Sequence, residues 1–404
     1  MADVLAGVRV LEVAEQGFVP SGAAVLADWG ADVVKVERPE GDGLRAVMKQ
    51  GLVANTGDFD FLSEQVNRNK RNVCLDLKNP DSRPVLERLV AWADVFITNQ
   101  LPKVRRKLRI EPADLFAINP RLVYARGHGQ GTKGAEAEAG GYDAVSFWSR
   151  AGVGHMLSGA AGVVMQRPAQ GDIPSGMFLA GGIAAALYAR ERDGRGRTVD
   201  VALLAGGVWT LAPDLVAASV LGADPPKMGG TGARSSGMTM ALVGTYLTSD
   251  ARVLQLSMLA TDKYWRGACE AMELGDLAAD TSLATDAGRA SRMPEIRARI
   301  TSAIAAKPLA HWSARLREAG CIFSWFATPV EVQSDPQVVA NGYLPRHPTH
   351  PTARLAANPV QFDEAPLEIR RAAPGKGEHT DEVLEAVGID AATRAKLRES
   401  GAIA

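Results

Sequence analysis

Apolar and polar residues alternate in blocks along the first 130 residues of the chain. Short runs rich in Val, Ile and Leu are followed by segments whose apolar residues recur every three or four positions. The runs predict strands and the periodic segments predict helices, and their alternation is typical of βαβ units in a mostly parallel sheet. The predicted strands cover 8–14, 32–37, 73–77, 94–99, 122–127 and 198–204, and the first predicted helices cover 20–30, 81–93 and 112–118.

A longer helix is predicted over 175–192, with its start near Pro174. Proline suits the first helical turn because its missing N–H would have no partner there. Asp172 lies just upstream, where an acidic side chain can accept hydrogen bonds from the free N–H groups and meet the positive end of the helix dipole. The local pattern therefore favours a cap, and a catalytic role for Asp172 is the open alternative.

The pattern changes after residue 225, where a segment rich in Pro, Gly and Ser interrupts it. A hairpin is predicted over 244–259, and a final helix near 380–399. Further helices are predicted over 262–274, 293–306 and 308–319. A chain of 404 residues exceeds the usual size of a single core, so this second part predicts a smaller α+β domain.

The composition narrows the choice of partners. Lys and Arg number 45 against 46 Asp and Glu, so no overall field of either sign would hold nucleic acid or an anionic membrane. The three cysteines (Cys74, Cys269 and Cys321) lie far apart, which predicts a reduced compartment, taken here as the cytoplasm, without a zinc site. The N-terminal sequence has no basic region and no long apolar stretch, so neither a signal peptide nor a membrane span is expected.

Four basic or Gly-rich segments nevertheless fall near predicted strand ends, where ligands of open α/β sheets gather. These segments are 38–45, 67–72, 99–109 and 126–134. Together they predict a small polyanionic ligand such as a nucleotide or phosphorylated cofactor, although any one of them alone reads more simply as solvated surface. The stretch 129–134 matches GxGxxG, but no apolar helix follows it, so a nicotinamide site is not favoured.

The six histidines are scattered without metal-binding spacing, and no metal site is predicted. His128 is the one of interest because it follows a predicted strand in a Gly-rich loop. A lone loop histidine more often makes a structural hydrogen bond than binds a ligand, and we keep both roles open for it.

Several segments in order resemble the class III CoA-transferase family, which includes the formyl-CoA and carnitine CoA-transferases and α-methylacyl-CoA racemase. The segments are "LADWGADVVKVERPEGD", "NRNKRNVCLDLKNPDSR", "ADVFITNQLP", "INPRLVYARGHGQG", "GGYDAVSFWSRAGV", "QGDIPSGM", "RERDGRGRTVDVAL" and "HPTARLAANPVQF". The resemblance covers nearly the whole chain. It implies an α/β fold with a Rossmann-like large domain, a smaller α+β domain, and a homodimer of two interlocked chains.

On this basis the expected large domain begins with residues 1–200 and is followed by a linker over 201–228. The small domain is expected over 229–325, and residues 326–404 return to the large domain. The expected partners are an acyl-CoA, a carboxylic acid and a second copy of the chain, with coenzyme A as substrate and product and no tightly bound cofactor.

The resemblance also implies roles for individual residues. Asp172, in the Gly-Asp motif before a helix, corresponds to the covalent nucleophile of the transferases. The helix N-terminus is expected to keep this carboxyl ionised. The expected CoA-binding residues are Arg38, Lys70, Asn99, Lys103, Arg106 and His128. The glycines expected in a loop over the active site are Gly229, Gly230 and Gly232.

Departures from the family pattern bear on specificity. Racemases of this family carry a histidine where Tyr142 stands, and tyrosine is a poor base for an α-proton at neutral pH. A racemase using Asp172 as acid and base is therefore the second interpretation, after CoA transfer. Gly17 and Phe18 replace a polar–small pair found in formyl-CoA transferase, which argues against a formyl or oxalyl substrate.

Overall fold

A computed structural model describes residues 3–51, 53–159, 162–227 and 240–404. The predicted loop glycines Gly229, Gly230 and Gly232 lie outside these ranges. The chain divides into two compact units. The first comprises Met1–Ser158, Val163–Val216 and Pro336–Ala404, and the second comprises Gly159–Gly162 and Ala217–Asp335.

Six parallel strands form the sheet of the first unit, in the order β3-β2-β1-β4-β5-β6. They are β1 (Arg9–Val13), β2 (Asp32–Glu37), β3 (Arg71–Cys74), β4 (Val95–Thr98), β5 (Val123–His128) and β6 (Arg197–Ala202). The strand order reverses between β1 and β4, the arrangement of a Rossmann-like sheet. The predicted α/β class with a parallel sheet is confirmed.

The helices in chain order are α1 (Phe18–Asp28), α2 (Leu44–Val47), α3 (Phe61–Asn67), α4 (Arg83–Trp92), α5 (Pro102–Leu108), α6 (Pro112–Phe116), α7 (Val153–Leu157), α8 (Asp172–Asp193), α9 (Leu203–Thr210), α10 (Ala212–Leu221), α11 (Thr261–Ala271), α12 (Gly275–Ala279), α13 (Asp286–Ala290), α14 (Met293–Ala305), α15 (Leu309–Glu318), α16 (Pro329–Ser334), α17 (Pro336–Ala340), α18 (Thr380–Ala386) and α19 (Ala391–Glu399). Short 3-10 turns cover Pro80–Ser82 and Thr281–Leu283, and a π-helical turn covers Ala144–Arg150.

Helices cover both faces of the parallel sheet because its strands are apolar on both sides. On one face, α1 and α8 pack against fully buried side chains such as Val10, Val95 and Val123. On the other, α4, α18 and α19 pack against the alternate residues, among them Leu11 and Phe96. Successive side chains of a strand point to opposite faces, so neighbours such as Val10 and Leu11 enter different cores.

The second unit contains a three-stranded antiparallel sheet in the order β7-β8-β9. Its strands are β7 (Val243–Leu247), β8 (Val253–Ser257) and β9 (Phe323–Trp325). The first two form the predicted hairpin, and helices α11, α14 and α15 cover a core of their own. The smaller α+β unit is therefore present as the sequence predicts.

Three local predictions need correction. The segment 201–228, predicted as a linker, contains the end of β6 and helices α9 and α10. The predicted strand 73–77 begins earlier, at Arg71, and ends at Cys74, and Leu75 beyond it forms an isolated bridge with Ile403. The predicted helix 380–399 is two helices, because Gly388 between them has φ = 80°, which a continuous helix does not allow.

Helix α8 is long and apolar. Within the described ranges, it meets the length and composition of a membrane span, as do α9 and α10 taken together as one bent segment. In the fold, α8 packs against α1, β5 and β6, with Leu179 and Ile183 fully buried. The expectation that the chain has no membrane span stays a prediction.

Candidate active site

A cavity of about 80 Å³ lies beyond the carboxyl ends of β1, β4 and β5. Gln16, Asn99 and His128, which follow or end these three strands, contribute to its wall. This is the point where the strand order reverses, and such switch points are where open α/β sheets bind ligands. The cavity therefore lies at the same strand ends that carry two of the basic and Gly-rich segments, 99–109 and 126–134.

Two helices bring their N-termini together beside this cavity. Helices α1 and α8 cross closely at Gly22 and Gly176, where a Cβ atom on Gly22 would come within 2.8 Å of the carbonyl oxygen of Gly176. A Cβ on Gly176 would collide with Oγ of Ser21. The same hydroxyl donates a 3.3 Å hydrogen bond to the carbonyl oxygen of Asp172. The close crossing thus holds the first residue of α8 against the first turn of α1.

Asp172 is the first residue of α8, and Gly171 occupies the N-cap position. The carboxyl lies against the backbone of Gly17, at a site where any Cβ would collide with its Oδ2 atom. Among the described residues, no side chain or backbone N–H donates a hydrogen bond to this carboxyl. The local sequence pattern is a helix start as predicted, but Asp172 does not act as the cap.

The electrostatics of Asp172 differ from the sequence expectation. Burial, and secondarily the negative charge of Asp143, raise the pKa of the Asp172 carboxyl to about 8. The expected stabilisation of the ionised form by the helix N-terminus has no visible source, because among the described residues no N–H group donates to this carboxyl. Asp143 is held nearby by backbone N–H groups: Ala144 donates at 2.8 Å and Gly171 at 3.3 Å.

Asp172 stands where two cavities meet. The small cavity beyond the strand ends lies on one side, and a much larger cavity of about 900 Å³ lies on the other. Gln16, Tyr142 and Asp172 contribute to the walls of both. A substrate whose reacting carbonyl sits at Asp172 can therefore extend in two directions.

The turn after β1 is fixed from two sides. The Asn99 side chain donates a 2.6 Å hydrogen bond to the carbonyl oxygen of Glu15 and accepts one of 3.1 Å from its N–H. The N–H of Gln16 donates to Asp42 at 3.0 Å, and Gln16 adopts a left-handed backbone with φ = 69°. Since few residues other than glycine adopt that conformation, these contacts compensate for its cost and set the position of Gly17.

Lys70, predicted to contact CoA, is fully buried beneath this turn. Its ammonium group lies 2.7 Å from Glu12 and donates to the carbonyl oxygen of Pro20 at 2.9 Å. Lys35 bridges the same Glu12, at 3.0 Å, to Asp42, at 2.9 Å. Burial lowers the pKa of Lys70 to about 8, although the Glu12 carboxylate opposes that shift. The CoA contact predicted for Lys70 is wrong, since all its donors face protein groups inside the fold.

Arg38 lies on the wall of another cavity, of about 220 Å³, beyond the ends of β1, β2 and β3. Nearly half of its side chain is exposed, and it donates to the carbonyl oxygen of Gly41 at 3.0 Å. Its guanidinium lies 3.4 Å from Glu15. Lys78 lines the same cavity. These two cations at the strand ends can hold an anionic ligand.

The remaining predicted residues fall outside the immediate surroundings of Asp172 or are already engaged. Lys103 is exposed on α5. Arg106, on the same helix, is exposed and pairs with Glu138 through two hydrogen bonds of 2.9 and 3.0 Å. His128 lines the small cavity, but its Nε2 atom is 2.9 Å from Asp200. The structural hydrogen bond considered for His128 is therefore present.

The sequence pattern of CoA-transferase family III matches residues 5–380. The chain belongs to CoA-transferase family III. The resemblance stated from the motifs is confirmed, and the expected enzyme class is confirmed at the level of this family.

The chain is 26% identical over 390 residues to the (R)-2-hydroxy-4-methylpentanoate CoA-transferase of Clostridioides difficile, covering 96% of each chain. It is 29% identical over 400 residues to the cinnamoyl-CoA:phenyllactate CoA-transferase of Clostridium sporogenes, covering 96% of this chain and 94% of the relative. Its fold is similar to that of a CAIB/BAIF family protein from Brucella suis, with a TM-score of 0.80 and 27% identity. That match covers 95% of this chain and 99% of the other.

Two residues at the site of this family III CoA-transferase were not predicted as site residues. Gln16 lies in the turn just after β1, at the carboxyl end of a central strand, where ligands of such sheets are expected. Asp143 comes close to Asp172 only because the irregular segment after β5 turns back toward the start of α8. No periodic pattern in the sequence predicts that this segment turns back toward α8. Among the described residues, no cluster of three or more His, Cys, Asp or Glu side chains could hold a metal ion.

Proposed function

We propose that this family III CoA-transferase moves coenzyme A from an acyl-CoA thioester to a carboxylic acid, with Asp172 as the covalent nucleophile. The observation that carries the proposal is the position of the Asp172 carboxyl. It stands at the junction of two cavities, against a glycine backbone, with no hydrogen-bonded partner among the described residues. A carboxylate so placed can approach a thioester carbonyl without displacing a side chain.

The chemistry proceeds in balanced steps. The Asp172 carboxylate attacks the acyl carbonyl, the C–S bond breaks, and CoA leaves as a thiolate, giving a mixed anhydride. The thiolate then attacks the aspartyl carbonyl, which forms an aspartyl-CoA thioester and releases the donor acid as its carboxylate. The acceptor carboxylate repeats both steps in reverse, so that the new acyl-CoA leaves and Asp172 is regenerated. This is covalent catalysis by an acidic side chain.

The raised pKa of Asp172 adds a requirement to the first step. With a pKa of about 8, most of the free protein holds this carboxyl protonated at neutral pH. The proton must leave before attack. Once ionised, a poorly solvated carboxylate is a stronger nucleophile than one surrounded by water, so the same burial that holds the proton also favours the attack.

Coenzyme A is proposed to lie along the strand ends. Its anionic nucleotide part would contact Arg38 in the cavity beyond β1, β2 and β3, and its thiol arm would pass Asn99 toward Asp172. Lys103 and Arg106 on exposed α5 remain candidates for the phosphates, and His128 for the wall of the thiol arm. Coenzyme A would act as substrate and product, with no tightly bound cofactor.

The printed names of the two relatives suggest the kind of acid involved. One names a 2-hydroxy-4-methylpentanoate and the other names cinnamoyl-CoA and phenyllactate. We propose an acyl-CoA and a carboxylic acid as the partners of this chain. We further propose an interlocked homodimer, as the family resemblance implies, and a cytoplasmic location, as the widely separated cysteines suggest.

The test of this function uses Asp172→Asn. This variant should abolish exchange of CoA between an acyl-CoA and an acid, while calorimetry finds its affinity for CoA within about threefold of the natural protein. Retained exchange would contradict the nucleophile. Loss of exchange together with unchanged binding also excludes a protein that only binds CoA.

The second candidate is a racemase or isomerase of a 2-methylacyl-CoA with Asp172 as acid and base. The observation in its favour is the neighbouring pair of carboxyls, Asp143 and Asp172, one of them with a pKa near the operating pH. Tyr142 in place of the racemase histidine argues against it. Deuterium entering the α-carbon from D₂O, without any covalent adduct on Asp172, would favour this second function.

A further inference from the structure

The large cavity on the far side of Asp172 is separate from the strand ends that are proposed to bind CoA. Its wall combines the turn after β1, the segment around α2 and α3, and the residues that precede α8. Gln16, Tyr142 and Asp172 form its boundary with the small cavity. It therefore begins at the proposed nucleophile and leads away from the sheet.

Apolar atoms contribute the larger share of the lining of this cavity, and the amide side chains of Gln50 and Gln166 also line it. The apolar side chains on the wall near α2 and α3 are Leu44, Ala46, Val47, Val53, Ala54, Leu62 and Val66. Val47, Val53 and Leu62 are only half-buried, so part of each side chain faces the open space. The ionisable groups among the described lining residues are Asp143 and Asp172 at the inner end, Tyr142 at the boundary with the small cavity, and Arg167, which is exposed.

We infer that this cavity holds the acyl group of the thioester and selects an apolar acyl chain of branched or aromatic size. The inference rests on the proposed function, because it places the reacting carbonyl at Asp172. Sulfur and the acyl chain leave that carbonyl on opposite sides. If the thiol arm of CoA occupies the small polar cavity, the acyl chain enters the large one.

The volume of the cavity and its aliphatic side chains both favour a larger apolar acyl chain. A cavity of about 900 Å³ lies at the upper end of the volumes that take drug-sized ligands. A one- or two-carbon acyl group would leave most of its aliphatic wall in contact with water. Each methylene buried against such a wall is expected to strengthen binding about fourfold.

The first experiment measures binding without turnover. Calorimetry of Asp172→Asn with acetyl-CoA, butyryl-CoA, isovaleryl-CoA and phenylpropionyl-CoA should show affinity rising by about fourfold for each carbon that becomes buried. Succinyl-CoA and glutaryl-CoA should bind no better than acetyl-CoA. Equal affinity across the apolar series would overturn the inference. Tighter binding of the dicarboxylic thioesters would also overturn it, and would assign the cavity to a carboxylate held by Arg167.

A pair of variants then tests the wall itself. Leu62→Ser should weaken isovaleryl-CoA by about tenfold and leave free CoA unchanged, whereas the volume-conserving Leu62→Met should retain the preference. Val53→Ser, in an irregular segment, repeats the test away from α3. An unchanged isovaleryl-CoA affinity in both serine variants would mean that the acyl chain lies elsewhere.

The natural protein separates failure of this inference from failure of the proposed function. Transfer through Asp172 that is equally fast from acetyl-CoA and isovaleryl-CoA contradicts the acyl cavity and leaves the nucleophile intact. No transfer from any thioester contradicts the proposed function. In that case, a chain-length dependence in the calorimetry would still report an apolar acyl site.

Discussion

At the scale of single residues, Asp172 combines two properties that oppose one another at neutral pH. In the proposed mechanism it must be ionised to attack a thioester, yet burial and the charge of Asp143 raise its pKa to about 8. Both properties arise from the same surroundings. A carboxyl against a glycine backbone, without hydrogen-bond donors among the described residues, is accessible to a substrate carbonyl and poorly solvated as an anion.

The pH dependence of CoA transfer follows from this. The value of kcat/KM should rise with pH and level off above about pH 8, since only the carboxylate attacks. Asp143→Asn should move the midpoint of this rise to lower pH, because it removes a neighbouring negative charge. Initial rates across buffers of constant ionic strength would measure both. A midpoint that is the same in the two proteins would show that Asp143 has no electrostatic influence on the reacting group.

The free energy of unfolding of the protein should also depend on pH through the ionisation of Asp172. Below about pH 3, Asp172 is protonated in folded and unfolded chains alike, so it has no pH-dependent effect. Between about pH 4 and 8 the unfolded chain ionises while the folded chain stays protonated, which favours unfolding. Asp172→Asn removes this cost. The substitution should therefore increase the free energy of unfolding by at least about 1 kcal/mol more at pH 8 than at pH 4.

Chemical denaturation at the two pH values would measure this difference. Asp58→Asn on the exposed surface serves as the matched control. A gain at pH 8 no larger than that of the control would contradict a raised pKa for Asp172.

At the scale of elements, the site depends on the crossing of α1 and α8. Gly22 and Gly176 let the helices approach until their backbones nearly touch, and Gly17 leaves the space that the Asp172 carboxyl occupies. The turn between β1 and α1 is fixed in turn by Asn99 and Asp42. Small residues and buried polar groups therefore position the Asp172 carboxyl together.

Gly17→Ala tests this arrangement. The new Cβ would collide with Oδ2 of Asp172, the far end of a side chain that can rotate away. We expect a loss in kcat of at least about tenfold, with the unfolding midpoint nearly unchanged, since a displacement near 1 Å suffices to impair a reacting group.

Gly181→Ala is the matched control for that variant. Gly181 is exposed on α8, and no atom outside its own helix turn lies within 4 Å of the added Cβ. This control should be fully active and more stable by about 0.5–1 kcal/mol. Equal activity of the two alanine variants would contradict the close approach of Gly17 to Asp172.

Arg38 and Lys70 were both predicted from the sequence to bind CoA, but substitutions at the two residues should have different effects. Arg38→Ala should raise KM for the acyl-CoA by about tenfold with little change in kcat, since Arg38 is exposed beside a cavity. Lys70→Met should leave KM nearly unchanged and cost about 3–5 kcal/mol of stability, because it leaves Glu12 buried with only Lys35 as its partner. Steady-state kinetics and denaturation together measure both. A higher KM in a stable Lys70→Met protein would restore its predicted contact with CoA.

At the scale of the whole molecule, the strand order explains why the site lies where it does. The centre of the sheet, between β1 and β4, is where successive connections turn to opposite sides and leave a crevice. The sequence predicted the strands and the site at their ends because near-continuous Val, Ile and Leu runs mark buried parallel strands. The assignment of Asp172 as nucleophile came from the ordered motifs rather than from its own helix start, and it stays a prediction.

Other features could not be predicted, and the reason is physical. Lys70 resembles a surface cation in the sequence, and only the packing of Glu12, Lys35 and Asp42 around it shows that it is buried. The raised pKa of Asp172 likewise depends on burial and on Asp143, which approaches through an irregular segment. Long-range pairings of this kind leave no periodic pattern.

The central claim is that Asp172 forms a covalent bond to the acyl group or to CoA during turnover. Its most direct test is mass spectrometry of the natural protein after incubation with an acyl-CoA and hydroxylamine. The account predicts a hydroxamate on the peptide that contains Asp172, dependent on the acyl-CoA and absent from Asp172→Asn. Turnover that proceeds without any modification of that peptide, accompanied by deuterium exchange at the α-carbon of the acyl group, would contradict it.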